Sequence, residues 1–169
     1  MPKRKPAPKP ARRRRVISGV ELPQDGRPLL EPRLWGSWKS DRKETFERVK
    51  QTKGTPAQQR KFRSIFGKMV VTWTRKRVST YFDCDRFLGS KNDRTPDVQE
   101  YSVVARSPRF AVIQPGKRLP NRKRKTDPVS AEILQELDDW NSLIVIEFDG
   151  DEGYRVSLET FFEYFRRVK

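Results

Sequence analysis

The sequence predicts a mainly β domain, an antiparallel meander or a small barrel with short helices, and three groups of residues carry this prediction. Residues 68–82 (KMVVTWTRKRVSTYF) alternate in polarity and are rich in β-branched and aromatic side chains, which is typical of a strand or a hairpin. Residues 100–107 and 109–115 form a second pair of predicted strands. Residues 141–150 contain the continuous apolar run of a buried strand, and residues 154–158 return from the turn DGDEG.

Four short segments have helical patterns. Residues 41–51 and 56–66 carry apolar side chains at spacings of three and four, and the KGT between them supplies a stop and a cap. Ser130 is a suitable cap for a helix over 131–140. The strongest pattern predicts a C-terminal amphipathic helix over 158–169. Its apolar stripe consists of Leu158, Phe161, Phe162 and Phe165.

Charge and proline divide the chain into a tail and a domain. Residues 1–33 are predicted to be a disordered basic tail, because like charges repel and proline interrupts both helix and sheet. Residues 34–169 are predicted to form one compact domain. Residues 1–126 carry 34 Lys and Arg against 11 Asp and Glu, whereas residues 127–169 carry 4 against 11. The basic front and the acidic back can therefore pair within the molecule.

The composition excludes several classes of protein. The 169 residues include no histidine, the commonest general base and transition-metal ligand, so we expect no cofactor and no metal site. Cys84 is the single cysteine, so an internal disulfide is impossible and a reducing compartment is favoured: the cytoplasm, or the nucleus in a eukaryote. No run of 18 apolar residues occurs, so no transmembrane segment is expected.

Clustered cations favour RNA or DNA as the partner, because Lys and Arg neutralise phosphates and release counterions. Residues 2–15 hold eight cations, residues 117–125 hold six, and three more follow Trp73. The predicted nucleic-acid-binding residues are Lys3, Arg4, Lys5, Lys9, Arg12, Arg13, Arg14, Arg15, Arg75, Lys76, Arg77, Lys117, Arg118, Arg122, Lys123, Arg124 and Lys125. The alternatives are a solubilising or targeting tail, and a hairpin whose Trp73 points into the core while its charges face water.

Gly36-Ser37-Trp38, together with the hairpin pattern, resembles the lipocalins. In that family a Gly-x-Trp opens the first strand, and its Trp packs at the closed end of the barrel beside a basic residue that follows the last strand. The resemblance covers roughly residues 34–168 and implies a small β-barrel, with Arg166 or Arg167 as the basic partner. The motif alone does not imply a ligand cavity.

No enzymatic chemistry is expected. Pro96-Asp97 and Glu100 are similar to a metal-dependent nuclease pattern, but Ser102 stands where the catalytic lysine belongs. A divalent-metal nuclease is kept only as an outside alternative, which three acids converging on one point would favour. Two functions are ranked above it. One is a nucleic-acid-associated protein, whose tail supplies affinity and whose domain supplies placement or contact with a protein partner. The other is a small-molecule or lipid-binding barrel with an incidental tail. An apolar cavity would favour the second function, and its predicted lining is Val71, Trp73, Val103 and Ile144.

Overall fold

The computed structural model describes residues 16–17, 19–24, 27–49, 55–57, 66–87, 90–92, 94–120, 143–158 and 161–169. A single turn of 3₁₀-helix, Pro32–Leu34, precedes the third strand, and the helix α1 spans Arg42–Val49. In chain order the strands are β1 (Val16–Ile17), β2 (Val20–Glu21), β3 (Gly36–Ser40), β4 (Met69–Trp73), β5 (Arg77–Phe82), β6 (Arg86–Phe87), β7 (Ser90–Lys91), β8 (Asp97–Arg106), β9 (Phe110–Leu119), β10 (Ile144–Asp149), β11 (Gly153–Leu158) and β12 (Phe161–Arg167).

Eight of these strands close into an antiparallel barrel. Their order around the barrel is β3, β4, β5, β8, β9, β10, β11 and β12, and each strand pairs with the next one in this order. The strands β6 and β7 form a separate small hairpin between β5 and β8 in the chain. The barrel closes where β12 pairs with β3, with Arg167 opposite Trp38 and Phe165 opposite Ser40. The predicted mainly β class and the small barrel are thereby confirmed.

Short polar turns join the strands at one end of the barrel. After β4, the Thr74 hydroxyl donates to the Arg77 carbonyl oxygen at 3.0 Å and accepts from the Arg77 N–H at 3.2 Å. After β8, the Ser107 hydroxyl accepts from the N–H groups of Arg109 and Phe110, both at 3.1 Å. After β10, Gly150 has a φ of +66°, a backbone conformation that glycine adopts without strain.

The predicted C-terminal amphipathic helix is wrong, because residues 161–167 form the strand β12. This strand pairs with β11 on one side and with β3 on the other, which satisfies its backbone groups along much of its length. Aromatic residues have high strand propensity, and here the tertiary pairing outweighs the helical spacing of the phenylalanines. The alternation of β12 places Phe165 in the core and Tyr164 on the outer side, under α1.

The other predicted helices have mixed outcomes. The first, over 41–51, is confirmed as α1. Of the second, over 56–66, only residues 56–57 and 66 are described, and 56–57 have helical backbone. The helix predicted over 131–140 lies outside the described residues. No helix among the described residues is long and apolar enough to cross a membrane.

The segment that precedes β3 adds to the barrel wall. β5 pairs with β8 only over residues 97–100, which leaves the rest of that edge of β8 open to other partners. Leu29 fills part of it by donating its N–H to the Val103 carbonyl oxygen at 3.1 Å, and Glu21 of β2 pairs with Arg106. Contacts with the barrel therefore begin at β2, ahead of residue 34, where the sequence suggested that the domain starts.

Candidate functional site

The interior of the barrel is the candidate site, and strand alternation identifies the side chains that line it. Cross-strand partners share a face, so the buried Trp38 defines the inward set on each neighbouring strand. A central band of this set forms the core, with members that are at most 6% exposed. The band consists of Trp38, Val71, Trp73, Val103, Ala111, Ile113, Ile146, Tyr154 and Phe165.

One end of the barrel, which we call the Arg167 end, is sealed around Trp38. The Arg167 guanidinium lies 4.2 Å from the centre of the Trp38 ring, and it donates to the carbonyl oxygens of Trp35 and Arg33, both at 2.8 Å. The Trp38 indole N–H donates to the carbonyl oxygen of Leu34, whose side chain is fully buried. Of the two basic partners that the resemblance implied for this tryptophan, Arg167 is the one observed.

A second arginine reinforces the Arg167 end. Arg33 forms a bidentate ion pair with the buried Glu31, with both contacts at 2.7 Å. It also donates to the carbonyl oxygens of Ser107 and Pro108, and its guanidinium lies 3.9 Å from the centre of the Phe148 ring. These contacts connect the chain ahead of β3 to the β8–β9 turn and to β10. The Arg167 end is therefore closed by two arginines whose guanidinium groups are hydrogen-bonded to the protein itself.

The opposite end, which we call the α1 end, keeps inward surface exposed. Met69, Phe82, Ile144 and Val156 all face inward by the strand register, and all are only half-buried. The half-buried Thr80 faces inward beside them, opposite Val71. Of the four residues that the sequence suggested as a cavity lining, Val71, Trp73 and Val103 belong to the packed core, and only Ile144 lies in this exposed set.

A buried carboxyl group faces inward near the α1 end. Glu163 is opposite Val156 and two residues before Phe165, and it is 2% exposed. Its Oε1 accepts a 2.6 Å hydrogen bond from the Ser40 hydroxyl, which in turn accepts from the Gly67 N–H at 3.1 Å. Burial raises the pKa of the Glu163 carboxyl to about 7, although the Ser40 hydroxyl and the Gly67 N–H both act to lower it. With this pKa, the protonated and the ionised form of the group are both populated near neutral pH.

Polar groups also occur deeper in the barrel. The Trp73 indole N–H donates to the Tyr154 hydroxyl at 3.2 Å. Burial raises the pKa of the Tyr154 hydroxyl, and the negative charge of Glu163 raises it further, so the two groups lie within electrostatic reach of each other. This part of the interior thus combines an apolar wall with the Tyr154 hydroxyl and the Glu163 carboxyl group.

An ion pair lines another part of the wall. Arg118 is opposite Gln99, which is opposite the inward Val78, so Arg118 faces into the barrel. Its Nε lies 3.2 Å from a carboxylate oxygen of Asp97, and both side chains are largely buried. Arg118 was predicted to bind nucleic acid, but this orientation directs it away from the outer surface.

The remaining predicted nucleic-acid residues are distributed as follows. Arg75, Lys76 and Arg77 are exposed together at the β4–β5 turn, and Lys117 is exposed on β9. Trp73 beside them is buried in the core, so it offers no surface for base stacking. The rest lie outside the described residues: Lys3, Arg4, Lys5, Lys9, Arg12, Arg13, Arg14, Arg15, Arg122, Lys123, Arg124 and Lys125.

Sequence reasoning missed Glu163 and its partner Ser40. The available signal was one acidic residue inside the aromatic run FFEYF, where a buried strand would have to enclose a carboxyl group. The helical interpretation placed that residue on a solvated face instead. Ser40 is distant in the sequence, and only the closure of the barrel brings it to Glu163.

With an eight-stranded closed barrel and a Gly-x-Trp element at its sealed end, the chain has a lipocalin-like fold. A search of solved structures finds a lipocalin-like protein from Bacteroides uniformis. The match covers 80% of this chain and 99% of that one, at 13% sequence identity and a TM-score of 0.41. No protein-family model matches the chain, and no curated protein matches it.

Proposed function

We propose that the protein is a non-enzymatic binding protein that holds a small, largely apolar molecule in the α1 end of its barrel. The observation that carries the proposal is the inward set Met69, Phe82, Ile144 and Val156, which retains exposed surface although its side chains point into a closed barrel. Eight-stranded barrels are wide enough to hold one small ligand. Ligand sites also occur preferentially in the mouths of such barrels.

The chemistry of the wall supports the same proposal. Its apolar side chains suit a hydrocarbon body. Because the Arg167 end is sealed, the α1 end is the proposed route of access. Among the described residues, the charged groups at the wall are few: the Glu163 carboxyl, and the Arg118–Asp97 ion pair. A mostly apolar pocket with a small number of placed polar groups is the usual composition of a small-molecule site.

The test is a titration with an uncharged, environment-sensitive apolar fluorophore such as N-phenyl-1-naphthylamine, on the full chain. Ile144→Trp should fill the α1 end and weaken binding at least tenfold, because the new indole occupies inward volume. Val145→Trp is the matched control, since Val145 is the next residue on β10 and is 39% exposed on the outer face. Equal binding by both variants, or no saturable binding by the wild type, would contradict the proposal.

A second candidate function is association with a polyanion such as RNA. It is favoured by Arg75, Lys76 and Arg77, which are exposed side by side at the β4–β5 turn. We expect the triple alanine variant to lower the log–log salt slope of RNA binding by about 2 to 3, at roughly 0.7–0.9 per charge. Lys91→Ala, at another exposed position, is the control. An unchanged slope would remove this turn from the candidates.

A further inference from the structure

We propose that Glu163 selects the ligand, and that the ligand is an amphipathic molecule with an apolar body and a protonated amine. This inference rests on the proposed binding function and specifies its ligand class. The starting observation is a carboxyl group that faces into the barrel beside apolar side chains, on a strand that otherwise presents Phe165 to the core. Two observations point to an amine: the position of this group in the barrel, and the lack of a cation beside it among the described residues.

The position of Glu163 places it at the boundary between the packed core and the exposed inward set. Its cross-strand partner Val156 is half-buried and belongs to that set. One step deeper, Tyr154 and Phe165 stack with ring centres 4.9 Å apart and form the floor. A ligand that enters from the α1 end and packs on Val156 therefore reaches the carboxyl group before it reaches the core.

The charge of Glu163 has no cationic partner within the described part of the chain. Its hydrogen-bond donors are neutral: the Ser40 hydroxyl at 2.6 Å and the Gly67 N–H, which also acts on the carboxyl group. Neutral donors offset only part of the cost of burying a carboxylate, and the raised pKa of the group reflects the remainder. Most buried charges in proteins are paired, so the described residues leave this site short of one positive charge.

Among the charged side chains that the structure describes on the surrounding elements, none pairs with Glu163. The inward-facing Arg118 of β9 pairs with Asp97. On β3 and just after it, Lys39 pairs with Asp83, and Asp41 pairs with Arg166. Arg155 of β11 pairs with Glu147 on the outer face. In α1, Arg42 and Lys43 are exposed and Glu44 is acidic, and Lys68 is half-buried just ahead of β4. Among these elements, the ionisable group coupled to Glu163 is the Tyr154 hydroxyl, a phenol that is neutral at physiological pH and therefore supplies no positive charge.

A ligand ammonium group is the complement that this arrangement requires. It would pair with the carboxylate in a site of low water content, where such a pair is stronger than at the surface. A neutral alcohol donates a hydrogen bond but leaves the charge uncompensated. A carboxylate ligand places a second negative charge beside the first. The expected order of affinity is therefore amine, then alcohol, then carboxylate.

The experiment is displacement of the bound fluorophore by octylamine, octan-1-ol and octanoate, on the full chain at pH 8. We expect octylamine to bind at least tenfold more tightly than octan-1-ol, and Glu163→Gln to abolish that difference. Glu147→Gln, a change to an outer-face glutamate of β10, should leave it intact. Circular dichroism establishes that each variant is folded.

The pH profile of the wild type gives a second readout that requires no variant. Because the pKa of Glu163 is about 7, octylamine affinity should rise about tenfold between pH 6 and pH 8 as the carboxylate forms. An affinity that falls with pH, or an alcohol that binds as tightly as the amine, overturns the amine assignment and leaves the proposed function standing. If neither the fluorophore nor any octyl compound binds, the proposed function fails, and the amine assignment fails with it.

Discussion

Arg167 and Trp38 are cross-strand partners, and the guanidinium of the first lies 4.2 Å from the ring centre of the second. The pair joins the last strand of the barrel to the first one. Arg167 also binds two backbone carbonyl oxygens of the segment that leads into β3. One side chain therefore closes the sheet and covers the tryptophan that fills its sealed end.

Replacement of Arg167 should destabilise the protein more than replacement of its neighbour. We expect Arg167→Ala to lower the free energy of unfolding by about 2–4 kcal/mol, because two charge-assisted hydrogen bonds and one cation–π contact are lost together. Arg167→Lys should recover only part of this, since a lysine cannot bind both carbonyl groups in a fork. Arg166→Ala is the control and should cost less than about 1 kcal/mol, because its ion pairs are exposed. Urea denaturation measures all three, and similar losses for Arg166→Ala and Arg167→Ala would refute the assignment.

Gly36 should not tolerate a side chain. Its φ is +117°, and an added Cβ would lie 3.0 Å from an Arg167 guanidinium nitrogen. Gly36→Ala is therefore expected to cost about 2–3 kcal/mol, from backbone strain together with displacement of Arg167. Gly150→Ala is the comparison, since its φ of +66° lies in the left-handed region that other residues also reach and an added Cβ there would meet no atom within 4 Å. Thermal unfolding should show the larger loss at Gly36, and equal losses would mean that neither the φ of +117° nor the contact with Arg167 adds to the cost.

The stability of the protein should depend on pH through Glu163. Its carboxyl group has a pKa near 4.5 when exposed and about 7 in the folded protein, so the folded state retains the proton that the unfolded state releases. The contribution of Glu163 to the free energy of unfolding is then highest below pH 4.5, falls as the pH rises, and levels off above pH 7. The loss is about 3 kcal/mol at 1.36 kcal/mol per pKa unit.

Glu163→Gln isolates this dependence, because glutamine keeps an oxygen that accepts from Ser40 and does not titrate. The difference in unfolding free energy between wild type and variant should decline by that amount from pH 4.5 to pH 8. Chemical denaturation at four pH values provides the measurement. Parallel profiles for the two proteins would show that the carboxyl group has the same pKa folded and unfolded.

The hydrogen bond between Trp73 and Tyr154 should appear as a coupling in a double-mutant cycle. Both residues are buried, and the indole N–H is the donor to the tyrosine hydroxyl. We expect Trp73→Phe and Tyr154→Phe each to destabilise the protein, and the double variant to be about 1 kcal/mol more stable than the sum of the two losses implies. Strict additivity would indicate that the hydrogen bond adds no stability beyond the packing of the rings.

Much of the barrel could be predicted from local sequence patterns. The alternation in residues 68–82 predicts the β4–β5 hairpin, and the paired apolar runs on either side of Ser107 predict β8 and β9. The GSW motif predicts the first barrel strand. The resemblance limits the basic partner of Trp38 to Arg166 or Arg167. These features succeed because a hairpin and a motif depend on neighbours in the sequence.

The features that were predicted wrongly or missed depend on contacts between residues that are distant in the sequence. Leu158 at the end of β11 and Phe161 and Phe165 of β12 have a helical spacing, but the same aromatic residues also suit a strand. The choice between the two rests on pairing with β3, more than a hundred residues earlier in the chain. The same closure creates the contact between Glu163 and Ser40, so the candidate site could not be inferred before the fold was known.

The pairing of Leu29 and Glu21 with β8 has a consequence for any shortened form of the protein. Removal of residues 1–33 would leave the backbone groups of β8 near Val103 and Arg106 without these partners, as a bare sheet edge beside apolar core. Such an edge recruits strands from other molecules, so the shortened protein would self-associate. A deletion limited to residues 2–15 removes the eight tail cations and keeps this edge protected. The basic tail can therefore be assayed separately from the barrel, but only if the cut falls before β1.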